Sequence, residues 1–331
     1  MEKRRLGKSD LHVTPVILGT WALGGWLWGG TEKNESDAAI HAALDSGINT
    51  IDTAPVYGFG LSEELVGRAI KGRRREVLVA TKCGLVWDDR PGQSAHYDTF
   101  DNNGRPVSIG RCLRKTSILR ECDMSLGRLG LDEIDLYQCH WPDPGTPLDE
   151  TMDALVTLRD RGKIRAFGVS NFTVPQMKEG LRYDSLTSLQ PRYSLLSREV
   201  EADILPFCRE QEIGVVAYSP MQRGLLTGTI GMDRAFPQTD ARSTAPWFQP
   251  ENRRRVLEAL EQVRPIAEEH GATLAQVAVA WIHLQPGVTA AIVGARNAAQ
   301  ARSNATAGEL RLTAEDMAAI RAVFEGLVLD S

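Results

Sequence analysis

Short apolar runs alternate with amphipathic stretches along most of the chain. The runs predict eight buried strands, at Val16–Leu18, Ile48–Ala54, Val77–Thr81, Ile134–Cys139, Ile164–Val169, Leu186–Gln190, Gly214–Tyr218 and Ala290–Val293. Segments with helical spacing lie between them. Strands buried on both faces and separated by helices are typical of a parallel sheet, because parallel strands need crossover connections.

Helical spacing and cap residues predict the intervening helices. They fall at Ala38–Leu44, from Ser62 to near Gly72, from Ser108 to Leu126, and at Leu148–Asp160, Thr173–Leu181, Arg198–Gln211, Glu251–Glu269, Thr273–Leu284, Ala298–Ala305 and Ala314–Phe324. Two short strands, Lys3–Leu6 and Leu11–Val13, open the chain around turn residues. The order predicts an α/β fold, a (β/α)8 TIM barrel with a short N-terminal β-hairpin and extra C-terminal helices.

A doubly wound sheet is the alternative fold. Its dinucleotide fingerprint GxGxxG is absent after the first strand, where the chain reads Gly19-Thr20-Trp21-Ala22. Neither a linker nor a repeat divides the sequence, so we expect one domain over residues 1–331. Two connections, Gly84–Val107 and Met221–Pro250, are long enough to predict lids or binding loops.

Composition narrows the possible functions. Hydrophobic residues make up 42% and charged residues 24% of the chain, which is ordinary for a globular protein. The net charge of −5 argues against a nucleic-acid partner. The sequence has no apolar segment of the length that spans a membrane and no signal peptide, so we expect a cytoplasmic protein without a membrane partner. Five scattered cysteines without a CxxC pair predict buried thiols and no metal site.

Reactive side chains follow several of the predicted strands. Asp52 ends the second strand and Tyr57 comes soon after it, Lys82 ends the third strand, and His140 ends the fourth. In a barrel these ends meet at one mouth. An ammonium beside a tyrosine favours the tyrosinate and lowers the tyrosine pKa, an aspartate holds that ammonium, and a histidine can bind a carbonyl oxygen. Such a set protonates a carbonyl oxygen while a redox cofactor delivers hydride.

Five separated motifs in this chain resemble the aldo-keto reductase family. They are Ile51-Asp52-Thr53-Ala54-Pro55-Val56-Tyr57-Gly58 with Ser62-Glu63-Glu64, Thr81-Lys82, Asp135-Leu136-Tyr137 through His140-Trp141-Pro142, Gly168-Val169-Ser170-Asn171, and Arg223-Gly224-Leu225-Leu226-Thr227-Gly228. The resemblance covers essentially the whole chain and is strongest to a bacterial branch near the potassium-channel β subunits. It implies a TIM barrel that binds NADP(H) and interconverts carbonyls and alcohols.

The resemblance also implies roles for individual residues. Tyr57 becomes the general acid, Lys82 its pKa depressor, Asp52 the partner of the lysine, and His140 the residue that orients the carbonyl. The residues that match cofactor contacts are Gly19, Thr20, Trp21, Asp52, Ser170, Asn171, Gln190, Tyr218, Ser219, Pro220, Met221, Gln222, Arg223, Gly224, Leu225, Arg242, Gly294, Arg296, Gln300 and Asn304. Tyr218 matches the aromatic ring that stacks on the nicotinamide, and Arg242 matches a phosphate-contacting arginine.

Two features limit what the resemblance implies. Thr229 stands where relatives often carry a lysine, and Arg296 is the one cation near the expected 2′-phosphate segment, so we expect NADP(H) with NAD(H) less excluded than usual. Aromatic residues on predicted mouth loops suggest the substrate pocket, which we expect to comprise Trp21, Trp28, Tyr57, Trp87, His140 and Trp141.

Alternatives stay open at this point. One is an NADP(H)-binding regulatory subunit with little turnover, and another is a lyase that uses Lys82 as a Schiff-base amine. The leading hypothesis is a reductase for a small carbonyl or alcohol substrate, acting as a monomer or weak homo-oligomer. The sequence names neither the substrate nor the preferred direction.

Overall fold

The computed structural model describes residues 1–28, 33–88 and 94–330. Its strands are β1 (Arg4–Arg5), β2 (His12–Val13), β3 (Val16–Gly19), β4 (Thr50–Asp52), β5 (Leu78–Cys83), β6 (Leu85–Val86), β7 (Ser94–Phe100), β8 (Pro106–Arg111), β9 (Ile134–Cys139), β10 (Ile164–Ser170), β11 (Ser188–Gln190), β12 (Gly214–Tyr218) and β13 (Val288–Gly294). Its α-helices are α1 (Trp21–Gly24), α2 (Lys33–Asp45), α3 (Leu61–Ala69), α4 (Lys115–Leu129), α5 (Leu148–Asp160), α6 (Val174–Gly180), α7 (Ile204–Gln211), α8 (Pro250–Glu269), α9 (Leu274–His283), α10 (Ala298–Thr306) and α11 (Ala314–Glu325).

Eight parallel strands close into a barrel, which confirms the predicted TIM fold. Around the barrel the order is β3, β4, β5, β9, β10, β11, β12 and β13, and β13 pairs with β3 to close it. The strands are buried, as their apolar runs predict, and helices pack outside them. Because all eight strands are parallel, their carboxyl ends lie at one end of the barrel, which we call the mouth.

The N-terminal hairpin covers the opposite end, the floor. Strands β1 and β2 pair antiparallel, and Leu6 and Leu11 between them pack against Leu136 and Val216 inside the barrel. The predicted hairpin is therefore confirmed, and its function is structural: apolar side chains from outside the barrel close its lower end. No helix in the described part of the chain is both long and apolar enough to cross a bilayer.

The predicted long loop Gly84–Val107 was wrong in part, because this segment contributes to a small sheet. Strands β6, β8 and β7 form an antiparallel sheet, and residues 89–93 lie outside the described residues. The predicted start of the next helix at Ser108 was also wrong, because Ser108 pairs with Asp98 in the sheet and α4 begins at Lys115. We call β7 and β8, with the turn joining them, the mouth hairpin.

Other element boundaries differ from the predicted ones. The strands expected over Ile48–Ala54 and Leu186–Gln190 are three residues each, Thr50–Asp52 and Ser188–Gln190, because only those residues pair with a neighbouring barrel strand. Trp21 was expected on a loop and instead begins the short helix α1. The predicted loop Met221–Pro250 contains only short 3-10 turns, within Gln222–Thr227 and Pro246–Phe248.

Candidate active site

Lys82 is the centre of the mouth. It lies near the end of β5 and its side chain is fully buried. Its Nζ donates to Asp52 Oδ1 at 2.7 Å, to the carbonyl oxygen of Thr53 at 2.9 Å and to Tyr57 Oη at 3.3 Å. These three acceptors occupy the ammonium, so the structure does not favour a Schiff-base role for this lysine.

Tyr57 reaches the lysine from the turn after β4. Its backbone N–H donates to Ala54 O, and its ring lies 4.9 Å from Lys82 Nζ. The following residue, Gly58, has φ +68° and lies so close to Gly24 that a Cβ here would stand 2.2 Å from the Gly24 oxygen. Only glycine fits at position 58, and this close approach of the turn to the end of α1 fixes the turn that carries Tyr57.

Burial decides the protonation of the tyrosine. It raises the pKa of Tyr57 well above the usual value, and the charge of Asp52 acts in the same direction. The role of Lys82 in lowering this pKa stays a prediction, since burial of the phenol acts in the opposite direction. Burial also lowers the pKa of Lys82, and Asp52 offsets part of that effect. Tyr57 thus carries its proton at neutral pH, as an acid must.

His140 lies directly after β9, and its ring centroid is 5.8 Å from that of Tyr57. Burial lowers the pKa of His140 well below the usual value, and positive charge on Lys82 lowers it further. The imidazole is therefore neutral at pH 7. A neutral imidazole can donate one N–H to an oxygen of a ligand.

Polar residues after β10, β11 and β12 join this group. Gln190 Nε2 donates to Asp52 Oδ2 at 2.8 Å, and Ser170 Oγ donates to Gln190 O at 2.7 Å. Asn171, with φ +62°, donates from Nδ2 to His140 O at 3.0 Å and accepts at Oδ1 from Tyr218 Oη at 3.0 Å. The residues expected around a nicotinamide are thus linked to Asp52 and His140 by hydrogen bonds.

The segment from Ser219 to Leu225 contains a tight turn. Ser219, Gln222, Arg223 and Gly224 have φ values of +58°, +47°, +54° and +92°. The N–H groups of Gln222 and Gly224 donate to Ser219 O and Met221 O, which closes this turn. Arg223 lies over Trp21 with 5.5 Å between the guanidinium carbon and the ring centroid, and burial and the charge of nearby Arg192 lower the pKa of Arg223. Two arginines therefore lie near this turn.

The other proposed cofactor residues lie around the same rim. Arg242 forms an ion pair with Asp240 at 2.6 Å and lies over the Trp28 ring at 4.8 Å, so its charge is already partly neutralised. At the end of β13, Asn304 Nδ2 donates to Gly294 O at 3.0 Å, and Gln300 accepts from the N–H of Arg296 at 2.8 Å. Arg296 is exposed. Gly19 and Thr20 follow β3, and the Thr20 hydroxyl donates to Asp52 O.

Aromatic rings line the mouth as expected. The Trp21 centroid is 6.2 Å from that of Tyr57 and 5.6 Å from that of Trp28. Trp87 packs on Phe59, and Trp141 follows His140. The indole Nε1 atoms of Trp21 and Trp28 are buried without a hydrogen-bond partner in the described residues. Such donors indicate a place where a ligand oxygen can bind. The glycines at positions 29 and 30, expected to let this loop flex, lie outside the described residues.

Four residues near the site escaped the sequence analysis. Arg192 follows Gln190 by two positions and is close enough to Arg223 to lower its pKa, so its place after a strand was an available signal. Phe59 stacks on Trp26, and it too follows a strand end. His96 and Arg111 lie on the mouth hairpin, and because its strands were not predicted, the sequence offered no signal for them.

A nicotinamide dinucleotide fits these residues. The arginines at positions 192 and 223 suit a pyrophosphate, since a guanidinium group can bind two phosphate oxygens at once. The amide and hydroxyl groups of Asn171 and Ser170 suit a carboxamide. Both sets lie on either side of Tyr218, whose ring is partly buried at the end of β12.

Comparison with known proteins agrees with this arrangement. The model of the Aldo/keto reductase family matches residues 15–325. The chain is 39% identical to aldo-keto reductase YhdN of Bacillus subtilis (strain 168), over 100% of this chain and 96% of that protein. It is 39% identical to the NADH-specific methylglyoxal reductase of Escherichia coli (strain K12), over 99% of each. The solved glycerol dehydrogenase of Gluconobacter oxydans is 40% identical with a TM-score of 0.87, over 97% of this chain and 94% of that one.

Proposed function

Because this chain belongs to the aldo/keto reductase family, an oxidoreductase family, we propose that it reduces the carbonyl group of an aldehyde, ketone or sugar with NADP(H), or oxidises the corresponding alcohol. The observation that carries the proposal is the contact of Lys82 Nζ with both Asp52 and Tyr57, at 2.7 and 3.3 Å. A buried phenol beside a charged lysine is an acid with a nearby stabiliser for its conjugate base.

The proposed reduction has two parts. The nicotinamide, when bound, supplies a hydride to the carbonyl carbon. Tyr57 donates its hydroxyl proton to the carbonyl oxygen, so that the carbonyl becomes an alcohol and the phenol becomes a phenolate. Lys82 stabilises that phenolate through its ammonium, and Asp52 keeps the ammonium in place. The neutral His140 donates a hydrogen bond to the same carbonyl oxygen and orients it. In the oxidation direction each proton moves back.

We further propose that the cofactor is NADP(H) rather than NAD(H). Arg296, exposed at the end of β13, supports a 2′-phosphate contact, since an arginine suits planar phosphate recognition. The Escherichia coli relative is named as NADH-specific, so the preference must be measured on this protein. Titration of the tryptophan fluorescence with NADPH and NADH gives both affinities.

The same titration of two arginine variants tests whether Arg296 contacts the 2′-phosphate. We expect Arg296→Ala to weaken NADPH by about tenfold, the value of one charge-assisted contact, and to leave NADH unchanged. The exposed Arg264, on α8, serves as the control through Arg264→Ala. Equal NADPH and NADH affinities in the unmodified protein would reject the NADP(H) preference. Failure to bind either nucleotide would reject the proposed function as a whole.

Turnover tests the reaction itself. Methylglyoxal and glycerol appear in the names of two relatives, so they and simple aldehydes, ketones and sugars form the first screen. Cofactor oxidation or reduction is followed by absorbance. Tight nucleotide binding without turnover of any compound would instead support the regulatory subunit. A cytoplasmic location and a monomer or weak homo-oligomer remain part of the proposal, and the buried free cysteines support a reducing compartment.

A further inference from the structure

The mouth hairpin lies across the site and is fixed at both sides. Ser94 Oγ donates to Asp143 Oδ1 at 2.8 Å, which ties the start of β7 to the loop after β9. Thr99 accepts from Trp26 Nε1 at 3.1 Å, and Asn102 Nδ2 donates to Gly58 O at 3.1 Å. The hairpin thus spans from the loop that carries His140 to the turn that carries Tyr57. Its inner face is a wall of the substrate pocket.

A β-bulge directs one side chain of the hairpin inward. Ala95 pairs with Gly110 and Tyr97 with Ile109, so His96 is the extra residue between two registers. Bulges re-aim side chains, and they are frequent beside active sites. His96 is half-buried while Ala95 and Tyr97 are exposed. Its ring centroid lies 5.3 Å from that of Trp141, the residue after His140.

Arg111 fixes the tautomer of His96. Its Nε and Nη2 atoms lie 3.0 and 2.8 Å from His96 Nδ1. A guanidinium can only donate, so Nδ1 accepts and the proton of the neutral ring is on Nε2. Burial and the charge of Arg111 both lower the pKa of His96, which keeps the ring neutral. Among the described residues, Nε2 has no hydrogen-bond partner.

Arg111 itself is already engaged. Its Nη1 lies 3.3 Å from Pro142 O, and its guanidinium carbon lies 5.4 Å from the centroid of the Trp141 ring. The cation is therefore occupied by His96, a carbonyl oxygen and an aromatic face. The group left to meet a substrate is the neutral N–H of His96, which suits a hydroxyl or carbonyl oxygen better than an anion.

We propose that His96 determines substrate specificity by donating its Nε2–H to a second oxygen of the substrate, on the carbon next to the reacting carbonyl. The inference rests on the proposed reductase function and deepens it. In the proposed reaction Tyr57 and His140, whose rings are neighbours, bind the reacting oxygen, and His96 packs on Trp141, the residue after His140. The substrate class is then α-hydroxy aldehydes, α-hydroxy ketones and α-dicarbonyl compounds. Arg111 acts as a positioning residue that keeps the donor on Nε2.

Two aldehydes that differ by one hydroxyl group test the proposal. The ratio of kcat/KM for 2-hydroxypropanal to that for propanal is measured in the unmodified protein and in His96→Phe. Phenylalanine keeps a ring against Trp141 and removes the donor. We expect the ratio to fall about tenfold, the effect of one hydrogen bond lost in an enclosed site, mainly through 2-hydroxypropanal. The nucleotide affinity should not change.

Further variants separate recognition from structure. His96→Gln places an amide N–H near the position of Nε2 and should recover most of the ratio, whereas the shorter His96→Asn should not. This pair gives the same test if the phenylalanine variant does not fold. His12→Phe, an exposed position on the floor, is the control and should leave the ratio unchanged. Arg111→Met should lower the ratio in the same direction as His96→Phe.

Each result has one meaning. A ratio that is unchanged in His96→Phe, or equal in the glutamine and asparagine variants, overturns the role of His96 while the reductase function stands. If the wild-type protein reduces propanal as efficiently as 2-hydroxypropanal, the role of His96 is likewise overturned while the reductase function stands. A protein that binds a nicotinamide nucleotide but reduces no carbonyl removes the proposed function, and this inference with it.

Discussion

The two ends of the barrel use the same residue types in opposite ways. At the floor, Asp135 accepts from Arg74 at 2.8 Å, from Arg165 at 2.7 Å and from the N–H of Val79 at 2.8 Å. At the mouth, the buried pair of Lys82 and Asp52 instead directs one contact at Tyr57. Floor charges satisfy each other and the backbone, whereas mouth charges leave a proton donor to meet a ligand.

The mouth also carries unused hydrogen-bonding groups. The indole N–H groups of Trp21 and Trp28 lack partners at the mouth, within the described residues. At the floor, Arg4 donates to the carbonyl oxygens of His283 and Thr289 at 2.7 and 3.1 Å. Variants at the mouth should therefore change activity with little loss of stability, and variants at the floor should do the reverse.

The largest effect is expected at the proton donor. Tyr57→Phe removes the hydroxyl and keeps the ring against Trp21, so turnover should fall by about 10²–10⁴-fold, the usual contribution of a general acid. Steady-state kinetics measures the change in turnover, and thermal unfolding measures the change in stability. The melting temperature and the NADPH affinity should stay near the wild-type values. Turnover within threefold of wild type would reject Tyr57 as the acid.

A variant at the floor should change the stability of the protein rather than its activity. Asp135→Asn leaves two arginines without their shared carboxylate, and we expect the free energy of unfolding to fall by about 3 kcal/mol. Urea unfolding measures the change, and kcat should stay unchanged in the folded fraction. Asp123→Asn is the control, because its ion pair with Lys163 is exposed and should contribute under about 1 kcal/mol. Equal losses in the two variants would contradict the comparison.

His283 should make the floor sensitive to acid. Burial lowers its pKa from the usual 6.5 to about 4, and the charge of Arg4, which faces Nδ1, acts in the same direction. The hydrogen bond from Nε2 to Ala307 O offsets only part of this effect. The unfolded chain takes up this proton near pH 6.5 and the folded chain only near pH 4, so stability falls as the pH drops through that window. At pH 5 the loss from this group is about 2 kcal/mol.

His283→Gln tests that loss, because an amide can replace both hydrogen bonds without titrating. Unfolding is measured in urea at pH 7 and pH 5 for both proteins. The variant should lose less stability than the wild type between these values. An equal loss in the two proteins would mean that other groups cause the acid sensitivity.

The smallest expected effect is on NADPH affinity in variants of Tyr218, at the mouth. Tyr218→Phe keeps the ring and removes the hydrogen bond to Asn171, so NADPH affinity should fall only a few-fold, about 1 kcal/mol at most. Tyr218→Leu removes the ring as well and should weaken binding further. Fluorescence titration compares the two. If leucine binds NADPH as well as phenylalanine does, the ring does not stack on the nicotinamide.

The sequence was most informative where an apolar strand precedes a reactive residue. Asp52, Lys82 and His140 each end or follow a buried strand, so closure of the barrel brings them together without further information. The relatively polar mouth hairpin gave no such pattern. Its strand β7 alternates half-buried and exposed residues, and its inward side faces a pocket rather than a core. His96 and Arg111 could be found only once the pairing of the strands was known.

Electrostatics could not be read from spacing either. The pKa of Tyr57 depends on how completely the phenol is removed from water, which is a property of the packed mouth. The sequence placed a lysine near the tyrosine and therefore predicted a lower pKa. Burial of the phenol acts in the opposite direction and raises the pKa. Contacts between neighbours were thus predictable, and the balance of desolvation against charge was not.

The pairing of β13 with β3 has a consequence for the order of assembly. Ala291 pairs with Val16, so the last barrel strand to be synthesised closes against the first. Contacts so distant in sequence form late and slow folding. Until they form, the segment after β13 stays apart from Gly19 and Trp21. A growing chain on the ribosome would therefore hold Tyr57 and Lys82 long before the proposed nucleotide contacts after β13 could join them, and the proposed site would be completed in one step at closure.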